Sequence, residues 1–400
     1  MDVPAPVHRP GSPRPYYFCE ELSKTHDLFM GTLCEDKEQL QWLTDDLAYK
    51  RIFREIEILP PPPKKVGWWN RQKHRLSASV YYYTKNMHPV YHRQMVERIT
   101  RWVREKNMDL VYVNGMEMTQ YVSPSLGIPM ISDVCDCLSL LFRKTGAAKK
   151  NPILKLRFLL ESYSLARWER ALAKAFSLLI VISPLDEKGI KASAPDARTL
   201  IIPNGVDVNY FKPQGSPQKA RIVFTGVLSY LPNEDAVRYF AESVFPLIQQ
   251  KIPEAEFWAV GKGPSESIRA LASRKGIHVT GTVEDIREYL GSARVFVCPL
   301  LYGAGMKNKI LGAMAMERPV VATSISLEGI AAVLERDALV GDTPEQLAAE
   351  VERVLRDDGL AQRLGRSGRA LVLERYAWES AFKILRSAVA QFDPRKNLDP

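Results

Sequence analysis

The sequence predicts an α/β protein made of doubly wound domains, and three observations predict it. Short apolar runs of strand length alternate with helix-period segments through both halves of the chain, a pattern that lays helices on a mostly parallel sheet. One run, Val295 to Cys298, leads into the loop Gly303-Ala304-Gly305 and then into a helical pattern marked by Ile310, Leu311, Met314 and Ala315. A length of 400 residues suffices for two or three domains of ordinary size.

The strand, glycine loop and helix carry the first chemical signal. A helix N-terminus offers unpaired N–H groups and the positive end of its macrodipole to an anion, and glycine lets backbone approach closely. Lys307 and Lys309 fall in the first helical turn, where the dipole favours acids. Two cations there imply either an anion to be held or a merely solvated first turn. Arg318 to Thr323 reads as helix stop, buried strand and strand end. The glycine loop therefore lies at the carboxyl end of one parallel strand beside another, in the crevice where open α/β sheets bind ligands.

The stretch Gly-Ala-Gly-Met-Lys-Asn-Lys-Ile-Leu-x-Ala-Met-Ala-Met-x-Arg-Pro-Val-Val-Ala-Thr, residues 303–323, resembles the donor-sugar motif of family 4 glycosyltransferases with the GT-B fold. It is similar in particular to sugar transferases of bacterial exopolysaccharide clusters, including the type associated with PEP-CTERM systems. The resemblance runs from about Pro10 to Phe392 and is strongest from Ile202 to Ile330. It implies two Rossmann-like domains facing a cleft. Residues 1–202 would form the acceptor-side domain, 203–375 the nucleotide-sugar domain, and 376–400 a helix and tail crossing back to the first. The implied reaction moves a sugar from a nucleotide-diphosphate sugar to a glycan or polyprenyl-linked acceptor with retention of anomeric configuration. It implies no cofactor and no metal, and the cleft candidates contain no Asp-x-Asp.

The resemblance also assigns residues. Gly303, Gly305, Met306, Lys307, Asn308 and Lys309 would hold the donor, with Lys307 counted as catalytic through the leaving diphosphate. Gly226 and Asn233 match the family's Gly-x-x-x-Tyr-x-Pro-Asn, Gly261 ends the next strand, the backbone near Val283 would face the base, and Gly11 would stand across the cleft. Relatives often place basic residues in the Gly226 loop; this chain has none from Gly226 to Asn233, so Lys307 and Lys309 carry more of that charge. One departure concerns the ribose. The family has Glu where this chain has Gly312, and usually Gly where it has Glu317. On the acceptor side, Asp133 and Asp136 follow an apolar strand and would orient an acceptor hydroxyl or act as base, the alternative being a helix cap or turn.

The N-terminal half reads as follows. Five prolines between Met1 and Pro15 indicate loop. The family's first strand precedes a loop like His8-Arg9-Pro10-Gly11 and feeds a helix near Arg14; too few residues stand before Pro4 to make it, through truncation or natural divergence. Losing that strand would expose sheet edge. A helix around Tyr17, Phe18 and Leu22, a strand from Asp27 to Leu33, a surface helix from Lys37 to Tyr49 and a strand from Ile56 to Leu59 follow. Trp68, Trp69 and Tyr81 to Tyr83 lie among Lys64, Lys65, Arg71, Lys73, His74 and Arg75, either as ordinary packing or as an acceptor- or membrane-contacting loop. Further segments are a helix from Arg98 to Lys106, strands from Asp109 to Val113 and from Pro129 to Asp133, and between these strands a helix from Met118 to Ser125. Asn151 to Ala175 reads as a long basic amphipathic helix, facing the core with a solvated side or docking on anionic lipid.

In the second half, Leu178 to Ile182 is a strand, Pro203-Asn204-Gly205-Val206-Asp207 resembles the family's entry to the second domain, and Gln214 to Lys219 reads as a linker. Strands are expected at Arg221 to Thr225 and Glu256 to Val260, and helices at Leu347 to Leu355, Gln362 to Leu373 and from Tyr376 onward.

Composition bounds the rest. No window approaches 18 uninterrupted apolar residues, and no secretory signal is visible. The five cysteines show no Cys-x-x-Cys spacing, so reduced thiols in a cytoplasmic protein, peripheral at most on the inner membrane face, are expected. A net charge of +9 implies an anionic partner, either a nucleotide sugar or an anionic membrane surface; no nucleic-acid module is recognisable. Two rival functions stand: an impaired relative that only binds a nucleotide sugar or partner, because of Gly312, and a nicotinamide oxidoreductase at Gly261-Lys262-Gly263, where Glu266 replaces the third glycine of the fingerprint.

Overall fold

The structure is a computed structural model and describes residues 4–6, 12–34, 36–63, 83–147, 149, 151–303 and 305–393. The chain divides into two compact units, one of Met1–Pro203 with Ala381–Pro400 and the other of Asn204–Ser380. The last helix, Trp378–Ala390, begins in the residues of the second unit and ends in those of the first.

In the first unit, β1 (Leu28–Leu33) pairs in parallel with β2 (Phe53–Leu59) as a separate two-stranded sheet. A second parallel sheet holds β3 (Val111–Asn114), β4 (Met130–Cys135), β5 (Leu178–Val181) and β6 (Thr199–Ile201) in that order. Among the described residues no strand joins the two sheets. Strand β5 is buried throughout, as befits a parallel strand covered on both faces. Its core is shared by Val113, Met130, Leu165, Trp168 and Leu172.

Local chemistry corrects several boundaries. The helix expected from Lys37 to Tyr49 is broken at Asp46, whose side chain accepts from the Ala48 N–H and starts a new helix, Leu47–Ile52. The helix expected from Met118 to Ser125 is two short 3-10 turns, Met116–Tyr121 and Pro124–Leu126, because Pro124 cannot continue the first. The aromatic and basic stretch around Trp68 and Trp69 lies outside the described residues, as do Tyr81 and the His8 to Gly11 loop. Helix Pro152–Ala175 starts on Asn151, whose side chain accepts from the Ile153 and Leu154 N–H groups. It packs on the preceding helix, Leu138–Ala147, so closely that a Cβ on Gly146 would stand 2.7 Å from the Phe158 Cβ.

The second unit is a six-stranded parallel sheet ordered β12-β11-β10-β7-β8-β9. Its strands are β7 (Arg221–Thr225), β8 (Glu256–Val260), β9 (Ile277–Val279), β10 (Val295–Cys298), β11 (Val320–Ala322) and β12 (Leu339–Val340). The chain lays β7, β8 and β9 outward to one side, returns to β10, and continues outward through β11 and β12. The direction reverses between β7 and β10, which pair through Val295 with Ile222 and Phe296 with Val223. The stretch from Gln214 to Lys219, expected as a linker, belongs to this unit and is packed against it. Gln218 donates its N–H to the Ser292 carbonyl at 2.9 Å, and a Cβ on Gly291 would stand 2.7 Å from the Gln214 carbonyl oxygen. The glycine of Pro-Asn-Gly-Val-Asp has its reason nearby: a Cβ on Gly205 would lie 2.2 Å from the buried Trp378 ring.

Candidate donor site

The reversal between β7 and β10 is the switch point at which open α/β sheets form a ligand crevice. Two loops meet there, one after β7 beginning at Gly226 and one after β10 leading to helix Asn308–Ala315. A Cβ on Gly226 would stand 2.9 Å from both the Asn233 Nδ2 and the Lys309 Nζ. Gly226, Asn233 and Lys309, distant in sequence, thus come together. The Lys309 ammonium donates to the Asn233 Oδ1 at 2.5 Å, and Asn233 donates in turn to the Val227 carbonyl at 2.9 Å. The Lys309 Nζ also lies 4.3 Å from the centre of the Phe224 ring.

Among the described residues, the Lys309 ammonium is held by an amide oxygen and an aromatic face rather than by a carboxylate. Burial pulls its pKa down to about 8, and neighbouring Lys307 adds to the effect. A cation desolvated in this way gains from an arriving anion. Lys307 occupies the N-cap position of the helix and donates to the Gly305 carbonyl. Gly303 and Gly305 take φ values of 145° and 73°, a region other residues enter only under strain, so this loop requires glycine. Met306 is buried beneath it, while Asn308 is exposed and its Oδ1 accepts from the Asn204 Nδ2 at 3.2 Å.

The third loop at this end of the sheet follows β8. Gly261 has φ 148°, and a Cβ there would fall 1.7 Å from the Gly226 carbonyl oxygen. Leu228 donates its N–H to the Lys262 carbonyl at 2.8 Å, so the two loops are stitched together. This close approach accounts for the Gly-Lys-Gly sequence. The helix that follows, Glu266–Ala270, has five residues. Lys262 is exposed on this loop and is a further cation at the same end of the sheet. In the sequence Lys262 reads only as part of a cofactor fingerprint, although its position just past a strand is the signal that places it here.

Gly312 lies buried in the second turn of the helix, and a Cβ on it would meet the Phe211 ring at an ordinary 3.7 Å. Backbone geometry therefore does not demand glycine here. Phe211 adjoins Tyr210, on whose ring the Arg287 guanidinium stacks at 3.9 Å, and Arg287 is clamped by Asp285 at 2.7 Å. Val283 is half-buried on the loop between β9 and helix Ile286–Ser292, two residues before Asp285. At the other end of the Gly312 helix, Glu317 holds φ 57° immediately after the helix C-cap. A left-handed residue costs about 1–2 kcal/mol in strain, and glycine's unfolded-state entropy returns about 0.5–1 kcal/mol of that. Glu317→Gly should therefore stabilise the second unit by about 0.5–1 kcal/mol, read as a raised urea midpoint; an unchanged or lowered midpoint would refute the strain.

Of the acceptor-side residues, Asp133 is fully buried and committed to protein partners, contrary to the cleft-facing role expected. The Arg14 Nε and Nη2 donate to its two oxygens at 2.7 and 3.2 Å, and the Tyr112 hydroxyl donates at 2.6 Å. Burial and the Asp133 charge together raise the Tyr112 hydroxyl well above its ordinary pKa. Asp136 is half-buried three residues on, past a bulge between Asp133 and Cys135 at which Cys135 takes φ 60°. Gly11 lies outside the described residues.

The fold is that of the GT-B glycosyltransferases. Sucrose-phosphate synthase from Thermosynechococcus elongatus superposes with a TM-score of 0.69 at 17% identity, covering 95% of this chain and 94% of that one. HepE from Anabaena, solved in complex with UDP, gives 0.65 at 13% identity with 98% of each chain covered. Residues 219–357 match the family model described as Glycosyl transferases group 1. The matched stretch lies within the second unit. Phosphatidyl-myo-inositol mannosyltransferase of Mycobacterium tuberculosis is 31% identical over 195 residues, 44% of this chain and 50% of that protein. The chain thus spans about half the length of the curated relatives it matches.

Proposed function

We propose that the protein is a retaining glycosyltransferase that takes a sugar from a nucleotide-diphosphate donor and passes it to a glycan or polyprenyl-linked acceptor of a cell-surface polysaccharide. The observation that carries this is the meeting of Gly226, Asn233 and Lys309 at the switch point, beside the N-terminus of helix Asn308–Ala315. In glycosyl transfer the sugar gains positive character while the diphosphate leaves as an anion. Lys307, Lys309, the loop amides and the helix N-terminus are matched to that leaving charge, and Lys262 stands ready to extend them. On this reading the lysines do the work that a metal does in Asp-x-Asp enzymes. Asp136, rather than the buried Asp133, is the acceptor-side carboxylate. The solved HepE complexes name UDP and UDP-glucose, which supports a nucleotide sugar as donor.

Gly312 favours a second reading, a relative that binds donor poorly. A missing ribose acceptor leaves hydroxyls unpaired at a cost of about 1–3 kcal/mol. Calorimetric titration of UDP and GDP into the protein and into Gly312→Glu separates the two. Micromolar binding by the unaltered protein supports a working transferase that holds ribose by other groups. Binding only after Gly312→Glu, improved roughly ten-fold to a hundred-fold, supports the impaired relative. No binding by either sinks the donor-site assignment.

A further inference from the structure

Helix Pro152–Ala175 carries apolar residues on two opposite faces. Leu165, Trp168 and Leu172 pack into the core. At about 100° per residue, Ile153, Leu156, Leu160 and Tyr163 recur on the other side at i, i+3, i+7 and i+10, with Leu159 beside them. These five side chains are 53–76% exposed. Such a stripe on a water-facing helix is unusual in a chain whose other large apolar groups are mostly buried, and contiguous exposed apolar surface marks an interaction site.

The charge around the stripe has one sign. Lys155 and Arg157 flank it, Arg167 extends it by a turn, and Arg143 is exposed on the packed helix Leu138–Ala147. From Leu138 to Leu160 the sequence contains no Asp or Glu, and the first acid, Glu161, is buried. The geometry points to this helical pair as a docking surface for an anionic lipid bilayer, with the apolar stripe entering the headgroup boundary and the long cationic side chains reaching phosphate. A second copy of the chain is a poor occupant, since a two-fold contact would set these cations against one another. The inference deepens the proposed function by placing the protein where a lipid-linked acceptor is presented, and it rests on that reading only for its purpose.

The test is flotation of the whole protein with phosphatidylcholine vesicles, with and without a one-third share of phosphatidylglycerol. The protein should float with the anionic vesicles at least roughly ten-fold better than with the neutral ones, and added salt should reduce the difference. The triple variant Leu156→Ser, Leu160→Ser and Tyr163→Ser should lose roughly ten-fold or more of that binding, and so should Lys155→Glu with Arg157→Glu. UDP titration of the same variants should be unchanged, which confirms folding and keeps the donor site separate. A failed donor site shows in the titration and leaves flotation untouched. Flotation that is equal for the parent and the triple variant, equal for both vesicle types, or absent overturns the proposal. So does a dimer in sedimentation that the triple variant splits, since a second copy would then own this face.

Discussion

Arg14→Ala should cost the first unit about 3–5 kcal/mol, the expected penalty for stripping the partner from a buried charge. The Asp133 carboxylate is fully buried, and Arg14 supplies two of the hydrogen bonds that hold it, beside those from the Tyr112 hydroxyl and, at 3.4 Å, the Cys135 thiol. Without the guanidinium the neutral Tyr112 hydroxyl and Cys135 thiol remain as donors, and the charge loses its counterion. The substitution also removes the bond from the Arg14 Nη1 to the Pro203 carbonyl at 3.0 Å and the stacking of the guanidinium over Phe18 at 4.5 Å. A buried pair is expensive to break yet adds little over an apolar pair of similar volume. Arg14→Met combined with Asp133→Leu should therefore be less destabilised than Arg14→Ala alone. Urea unfolding of the parent, Arg14→Met, Asp133→Leu and the double variant measures the coupling directly. Strictly additive losses would mean that the two groups do not interact in solution and would remove the reason for excluding Asp133 from acceptor chemistry.

That pair also marks the limit of what the sequence discloses. Asp133 was visible as a carboxylate just past an apolar strand, but its partner lies 119 residues away on a helix whose own pattern gives no hint of the contact. The second unit was far more legible. Buried parallel strands read as unbroken apolar runs, so β8, β10 and β11 stood out, and glycines that must take positive φ marked the loops at their ends. Local polar competition was harder to foresee: Asp46 ends one helix by capping the next, and the polar Gln214 to Lys219 stretch packs on the sheet domain although its composition suits a linker. Helix Pro152–Ala175 shows the same limit in reverse. Its leucines were countable, but which of them face the core depends on where the neighbouring helix crosses, and only Leu165, Leu172 and the aromatic Trp168 are fully enclosed.

Binding of UDP should weaken as pH rises above about 8, because Lys309 loses its proton there when the site is empty. The ordinary lysine value is 10.5, and burial is the main cause of the fall. A diphosphate beside the ammonium favours the charged form, so the bound state keeps its proton to higher pH. Between the two values binding must take up a proton, and affinity falls by up to about ten-fold per pH unit. Folding responds with the opposite sign. From about pH 8 to 10.5 the unfolded chain holds more protons than the folded one, so the Lys309 contribution to stability grows as pH rises through that window. Lys309→Gln should lower affinity roughly ten-fold to a hundred-fold at neutral pH and flatten the pH profile, whereas Lys309→Arg, charged throughout, should flatten the profile while keeping more of the affinity. Titrations at pH 7, 8 and 9 on the three proteins decide the matter. A parent profile as flat as that of Lys309→Gln would show that this ammonium does not meet the diphosphate, and the leaving charge would then fall to Lys307, Lys262 and the loop amides.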